Sequence, residues 1–107
     1  MPELIITSAD EGVSHDAEVG QIASLQLEEN PSTGYRWAME ISPREAVELL
    51  ESRWLRGDSK GVGAAGMREI RVRFTSRGEV HIHLKLWRAW EGEGSVMRRH
   101  EFTFRVR

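Results

Sequence analysis

Strict alternation of apolar and polar residues is the feature that most limits what this chain can fold into. It is clearest in residues 80–86, where Val, Ile, Leu and Leu alternate with His, His and Lys. A period of two places the apolar side chains on one face of an extended strand. Further segments share this period or form a short apolar run: 4–7, 23–27, 35–41, 69–74 and 101–106. The pattern therefore predicts a chain made mainly of half-buried strands.

Residues 42–55 fit two descriptions. Residues 42–45, Ser-Pro-Arg-Glu, have the form of a capping box with proline at the first helical position. Alternate residues from Leu50 to Arg56 fit a strand instead, in keeping with the rest of the chain. We expect a short helical turn near residues 43–46, followed by a strand from about Val47 to Leu55.

This arrangement of strands predicts an all-β fold, an immunoglobulin-like β-sandwich of about seven strands with one short helical turn. A small closed β-barrel is the alternative fold. The chain has no cysteine, which excludes the disulfide-containing variable-type immunoglobulin domain. With 107 residues and no linker or repeat, we expect a single domain spanning residues 1–107.

The charge balance narrows the range of partners. Seventeen acidic and fifteen basic side chains give a formal net charge of -2, so no overall basic field would attract nucleic acid or anionic lipid. No apolar run approaches the roughly 20 residues that span a bilayer, and the first residues lack the features of a secretory signal. We expect a monomer without cofactor or metal, cytoplasmic as the sequence stands, or exported if a leader was removed.

One polar loop between two alternating segments has the chemistry of a recognition surface. It reads Asn30-Pro31-Ser32-Thr33-Gly34-Tyr35. Pro31 fixes its own φ and favours an extended Asn30, while Gly34 can supply the positive φ that a tight reversal needs. Ser32 and Thr33 place two small hydroxyl groups at the apex, where they can hydrogen-bond a partner. The loop is longer than a simple hairpin requires, which favours a functional interpretation.

Two further loops are unusual in composition. Residues 57–66 are rich in glycine from Gly61 onward, so this backbone either approaches another surface closely or serves as a flexible connector. Residues 87–95 contain Trp87, Arg88 and Trp90, residue types that are enriched at binding hot spots. Trp87 fits a binding role and a capping role at the end of the sandwich equally well. Trp90, which precedes Glu-Gly-Glu-Gly, is expected to be exposed.

Together the three loops resemble the chagasin-like family of cysteine protease inhibitors. The family pattern is an Asn-Pro-Thr-Thr-Gly-Tyr loop, a Gly-x-Gly-Gly loop and an Arg-Pro-Trp loop, in that order. Residues 30–35 match the first with serine for one threonine, Gly61-Val62-Gly63-Ala64 matches the second except for its last glycine, and Arg88-Ala89-Trp90 matches the third with alanine for proline. The resemblance extends from about Val19 to the end of the sequence.

This resemblance implies a sandwich whose three loops (30–35, 57–66 and 87–95) gather at one end and enter the cleft of papain-like cysteine proteases. Inhibition would be reversible and competitive, by occlusion, with no bond broken in the inhibitor. Thr33 and its neighbours would cover the catalytic centre, Gly61 to Gly66 would lie along one side, and Trp90 would pack on the other. Ala89 in place of proline is expected to leave the third loop freer, and Ala64 adds a methyl group where the backbone approaches the enzyme; both changes would weaken binding.

Other residues of the chain allow other functions to be considered, beginning with a metal site. His81 and His83 lie two residues apart on one strand face, with His100 on a later strand, and three histidines can bind zinc. Their alternation with aliphatic residues is more typical of a solvated face. No serine lies in a nucleophile turn with a histidine beside it, so no enzyme is predicted. The remaining alternative is an immunoglobulin-like protein-binding or adhesion module with a non-protease partner.

Overall fold

The computed structural model describes residues 1–56 and 66–107. Within these ranges the chain forms eight strands in two four-stranded sheets, with strand orders β1-β3-β6-β5 and β2-β8-β7-β4. The strands are β1 (Leu4–Thr7), β2 (Ser14–Ala17), β3 (Ile22–Glu29), β4 (Arg36–Ser42), β5 (Val47–Arg56), β6 (Gly66–Phe74), β7 (Gly78–Trp87) and β8 (Arg98–Val106). The predicted all-β sandwich is confirmed.

The core lies between the two sheets and is made by the apolar stripes that the alternation predicted. Phe74 of β6 and Phe104 of β8 meet across the sandwich with ring centroids 4.9 Å apart, and neither is exposed. Full burial of one large apolar side chain contributes about 1.5–3 kcal/mol. Because three alternate residues in each of β3, β6, β7 and β8 enter this core, the register of each strand is fixed.

Strand β2 is the element that the sequence did not predict. Its residues, Ser-His-Asp-Ala, bury only Ala17, so no apolar alternation marks them. The strand is held by its main chain instead, since it pairs in parallel with residues 103–106 of β8. Arg107 N also donates to Ala17 O at 2.9 Å. Main-chain pairing at a sheet edge leaves no signature in the side chains.

The turn expected near residues 43–46 is a 3-10 turn at Arg44–Ala46, followed by β5 as predicted. The predicted capping box was wrong, because Pro43 is the N-cap residue and no side chain caps the turn. Tertiary contacts hold it in place. Ala46 is buried, its N–H donates to Pro43 O at 3.1 Å, and its carbonyl accepts from Thr75 N at 2.8 Å.

Three connections leave the sandwich at one end: 30–35 between β3 and β4, 57–65 between β5 and β6, and 88–97 between β7 and β8. The strand register places their ends side by side, since Gly66 pairs with both Glu29 and Arg56. In the other sheet Arg36 pairs with Trp87, and Arg98 pairs with Leu86. No helix in the described part of the chain has the length and apolar character needed to cross a membrane.

Candidate functional site

The loop at 30–35 is closed by its own side chains. Residues Pro31–Thr33 form a 3-10 turn, and the Asn30 side-chain oxygen Oδ1 accepts from Ser32 N at 3.1 Å and Ser32 Oγ at 2.7 Å. Thr33 Oγ1 donates to Asn30 O at 2.8 Å and accepts from Tyr35 N at 3.3 Å. Both hydroxyl protons are therefore used inside the loop. What Ser32 and Thr33 offer a partner is oxygen lone pairs.

Gly34 ends this turn and meets the third loop. Its φ of 80° lies in the left-handed region, as predicted, and its N–H donates to Pro31 O at 3.3 Å. A Cβ at this position would lie 2.7 Å from Cη2 of Trp90. Glycine is thus favoured both by the backbone conformation and by the indole that packs on it. Trp90 is otherwise 72% exposed, as predicted.

Arg88 joins the first and third loops. Its Nη2 and Nε donate to the carbonyl oxygen of Thr33 at 2.9 and 3.1 Å. The same guanidinium lies 4.5 Å from the centroid of the Tyr35 ring, and Nη1 lies 3.3 Å from a carboxylate oxygen of Glu91. A planar guanidinium suits this combination of directed hydrogen bonds and ring stacking. The apex of the first loop is therefore held by a side chain of the third.

The third loop is itself braced. It contains two 3-10 turns, Ala89–Glu91 and Glu93–Ser95, and the Ser95 hydroxyl accepts from Arg88 N at 3.0 Å. That hydroxyl also lies 2.7 Å from Gly92 O and 3.0 Å from Arg88 O. Hydrogen bonds that close the loop on itself restrict it where the family has proline. The expectation that Ala89 leaves this loop freer stays a prediction, and these hydrogen bonds act against it.

A carboxylate then ties the loop to the sheet. Glu93 accepts from Lys85 Nζ at 2.6 Å and from Arg99 Nη2 at 2.8 Å. These hydrogen bonds, that of Lys85 first, hold the pKa of Glu93 below its ordinary value. Lys85 Nζ lies 3.6 Å from the ring centroid of Trp87, which is half-buried on the outer face of β7. Trp87 thus supports the base of the third loop.

Beneath the first loop lies a buried carboxylate. Glu29, which is 1% exposed, accepts from Arg68 Nη2 at 2.8 Å through Oε1 and from Trp37 N at 3.2 Å through Oε2. Its carbonyl accepts from Trp54 Nε1 at 2.9 Å. Because Trp37 belongs to the other sheet, this one side chain fastens the two sheets together where the first loop begins and ends.

Of the glycine-rich loop at 57–66, only Gly66 belongs to the described structure. Gly66, at its C-terminal end, is buried against Trp54, and a Cβ there would lie 2.3 Å from two ring atoms of that indole. The predicted contact residues Gly61, Val62, Gly63 and Ala64 lie outside the described residues. Their assignment to the site stays a prediction.

Comparison with known proteins decides the family. Residues 16–106 match the family described as chagasin family peptidase inhibitor I42. Chagasin of Trypanosoma cruzi is 32% identical over 91 residues, which cover 81% of this chain and 83% of chagasin.

The chain belongs to the chagasin family.

Two solved structures have a similar fold. The cysteine protease inhibitor EhICP2 of Entamoeba histolytica superimposes with a TM-score of 0.90 at 25% identity, covering 98% of this chain and 96% of EhICP2. The structure of PbICP-C in complex with falcipain-2 is similar in fold, with a TM-score of 0.64 at 14% identity, over 100% of this chain and 91% of the other. This chagasin-family chain is thus a cysteine protease inhibitor and not an enzyme, as predicted.

Sequence reasoning missed the residues that support the loops of this chagasin-family protein, namely Glu29, Arg68, Trp54, Glu93 and Ser95. One signal was available for Glu29. It continues the inward stripe of β3, which is apolar at Ala23, Leu25 and Leu27. A carboxylate on a core stripe must find partners, because burying an unpaired charge is very unfavourable.

Of the three histidines considered as zinc ligands, His81 and His83 share the outer face of their sheet and His100 lies on the inner face. His81 contacts Glu79 and Glu101 on the outer face of its sheet. His100 points inward, contacts Glu11, and has its ring centroid 5.4 Å from that of Trp37. Among residues 1–56 and 66–107, no group of three or more potential ligands is placed to hold a metal ion.

Proposed function

We propose that this chain inhibits papain-like cysteine proteases reversibly and competitively, as one inhibitor domain whose loop end occludes the active-site cleft. The observation that carries this proposal is the contact between the loops: Arg88 bonded to Thr33 O, and Trp90 packed on Gly34. These contacts join the first and third loops into one pre-ordered surface.

Pre-ordering matters because occlusion depends on a modest interface. A standard protein interface buries about 1,600 Å², and its affinity depends strongly on how much loop entropy is lost on binding. In the free inhibitor, Asn30, Arg88 and Ser95 already hold the loops through hydrogen bonds. Less entropy is then lost when the cleft closes around them.

The proposed contacts follow the arrangement of the loops. Thr33, at the apex, would cover the catalytic cysteine and histidine, with Asn30, Pro31, Ser32, Gly34 and Tyr35 around it. Trp90, with most of its indole exposed, would pack along one side of the cleft. Residues Gly61, Val62, Gly63 and Ala64 would lie along the other. EhICP2 is named as a cysteine protease inhibitor and PbICP-C was solved with falcipain-2, which supports this class of target.

Inhibition of papain and of cathepsins, followed with a fluorogenic peptide substrate, tests the proposal. Competitive inhibition that is reversed on dilution is the expected result. Thr33→Arg and Trp90→Ala should each weaken inhibition by at least about tenfold, because hot-spot contacts contribute roughly 2 kcal/mol or more. Their melting temperatures should stay close to that of the wild type.

Val19→Ala provides the matched control for Trp90→Ala. Val19 is an exposed apolar residue at the opposite end of the sandwich, where its N–H donates to Arg107 O. This variant should inhibit like the wild type. An absence of inhibition at micromolar concentration against several papain-like enzymes would overturn the proposal and favour an adhesion module with a non-protease partner.

A further inference from the structure

We infer that Arg36, Arg56 and Arg98 form a cationic rim around the loop end, which selects papain-like proteases whose clefts are bordered by carboxylates. This inference rests on the proposed function, since it concerns the partner of the same surface. Each of the three arginines is exposed and occupies the paired position of its strand nearest one of the three connections: the first of β4 (Arg36), the last of β5 (Arg56) and the first of β8 (Arg98).

The charge of this end differs from that of the whole chain. The loop end is taken as the three residues of each bordering strand that lie nearest a connection, together with the described residues of the connections. These are residues 27–38, 54–56, 66–68 and 85–100. They contain seven basic and four acidic side chains, a formal net charge of +3. The chain as a whole carries -2. Asp58 and Lys60, in the connection outside the described residues, cancel in this count.

Most of the carboxylates at this end are already paired. Glu29 binds Arg68, Glu91 lies beside Arg88, and Glu93 contacts two cations. Within residues 1–56 and 66–107, Arg36, Arg56 and Arg98 have no carboxylate within ion-pair distance. No carboxylate of the described residues therefore offsets their charge, which is available to a partner that approaches the loops.

Arg36 is also held in position. Its Nη1 lies 3.2 Å from Tyr35 O and 3.4 Å from Pro31 O, so the guanidinium borders the first loop. Carbonyl oxygens orient an arginine without cancelling its charge. Arg98 begins β8 directly after the third loop, on the other side of β7 from Arg36.

Charges on the rim of an interface act chiefly on the rate of association. Complementary rim charges raise the association rate constant and make it sensitive to salt, since exposed charges are screened beyond about 8–10 Å at physiological ionic strength. They change the dissociation rate much less. A cleft bordered by carboxylates would attract this end of the inhibitor, and a cleft with basic borders would repel it.

The test measures association and dissociation rate constants against one papain-like protease with carboxylates at its cleft rim. The same protease with those carboxylates changed to amides serves as the second target. For the wild-type inhibitor, association with the acidic cleft should slow about tenfold between low salt and about 0.5 M salt. The double variant Arg36→Gln/Arg98→Gln should associate about fivefold to tenfold more slowly at low salt and depend little on salt.

Two further double variants separate charge from structure. Arg36→Lys/Arg98→Lys keeps both charges and should keep the salt dependence. Arg77→Gln/Arg105→Gln removes two exposed arginines near the opposite end and should behave like the wild type. Association with the amide cleft should be slow and nearly independent of salt for every inhibitor variant.

Different results would overturn the cationic rim and the inhibitor role. Inhibition whose association rate ignores salt, or is lowered equally by Arg77→Gln/Arg105→Gln, would overturn the cationic rim and leave the inhibitor role intact. An absence of inhibition of either target at any salt concentration would overturn both.

Discussion

Glu29 and Arg68 form a buried ion pair directly beneath the first loop, with Oε1 of Glu29 2.8 Å from Nη2 of Arg68. The Glu29 side chain is fully buried and that of Arg68 is 20% exposed. Among the described residues, removing the arginine would leave this interior carboxylate with Trp37 N as its remaining partner and no opposite charge. A buried pair that loses one member is much less stable than the intact pair or a neutral replacement of both.

Arg68→Met should therefore lower the free energy of unfolding by roughly 3 kcal/mol, measured by urea denaturation with an unchanged m value. The double variant Glu29→Gln/Arg68→Met removes the orphaned charge and should recover most of that loss. If the single variant were as stable as the wild type, Glu29 would not be held by this pair.

Arg88→Lys tests the link between the first and third loops. Lysine keeps the charge but loses the fork of donors that reaches Thr33 O and the planar group over Tyr35. We expect inhibition to weaken by about tenfold, since a first loop that is no longer held by the third loses more conformational entropy on binding. The melting temperature should change little, because Arg88 lies at the surface.

Arg105→Lys is the matched control for Arg88→Lys. It makes the same substitution at an exposed position of β8, at the opposite end of the sandwich, and should leave inhibition unchanged. Equal loss of inhibition in both variants would show that the Arg88 fork has no special role.

The strands could be predicted from the sequence because a half-buried strand leaves an alternating pattern in its side chains. Strand β2 could not, since it pairs through its backbone and buries only Ala17. The three loops could be recognised by their local chemistry, and Trp90 and Gly34 behave as their sequence indicates.

The contacts between loops were beyond sequence reasoning for a different reason. Arg88 and Thr33 are 55 residues apart, and the bond between them joins a side chain to a carbonyl oxygen. Every residue has a carbonyl oxygen, so nothing at Thr33 marks it as the acceptor. The Glu29 pair was closer to detection, because its carboxylate stands on an apolar stripe.

Gly34→Ala tests the backbone conformation at position 34 and the packing of Trp90 against it. Alanine at a φ of 80° is strained by about 1 kcal/mol, and its Cβ would also lie 2.7 Å from Cη2 of Trp90. The indole end can move away, so the fold should survive with a small loss of stability. Displacement of Trp90 from the first loop should weaken inhibition by roughly tenfold or more.

Gly12→Ala is the control, because Gly12 has a φ of 83° with open space around its Cβ position. Both variants should lose a similar amount of stability in thermal unfolding, while only Gly34→Ala loses inhibition and shifts the tryptophan fluorescence. Unchanged inhibition by Gly34→Ala would show that the packing of Trp90 on the first loop is dispensable.

The Glu93 brace predicts a defined pH dependence. The hydrogen bonds from Lys85 and Arg99 favour the carboxylate, so the pKa of Glu93 in the folded protein lies below its ordinary value of 4.5. A lowered pKa means that the brace contributes stability fully above the unfolded-state pKa and loses it as the pH falls through the folded-state pKa. The difference in stability between wild type and Glu93→Gln should therefore be constant above about pH 5.5 and shrink below about pH 4.5.

Urea denaturation of both proteins at a series of pH values between 7 and 3 measures this difference directly. Glu93→Gln cannot titrate at this position, so subtracting its stability removes most of the contribution of every other acid. A difference that grows as the pH falls would reverse the sign expected of an anion held by two cations. A difference that stays flat to pH 3 would mean that Glu93 is not coupled to folding through Lys85 and Arg99, and the restraint on the third loop would then rest on Ser95 and Arg88.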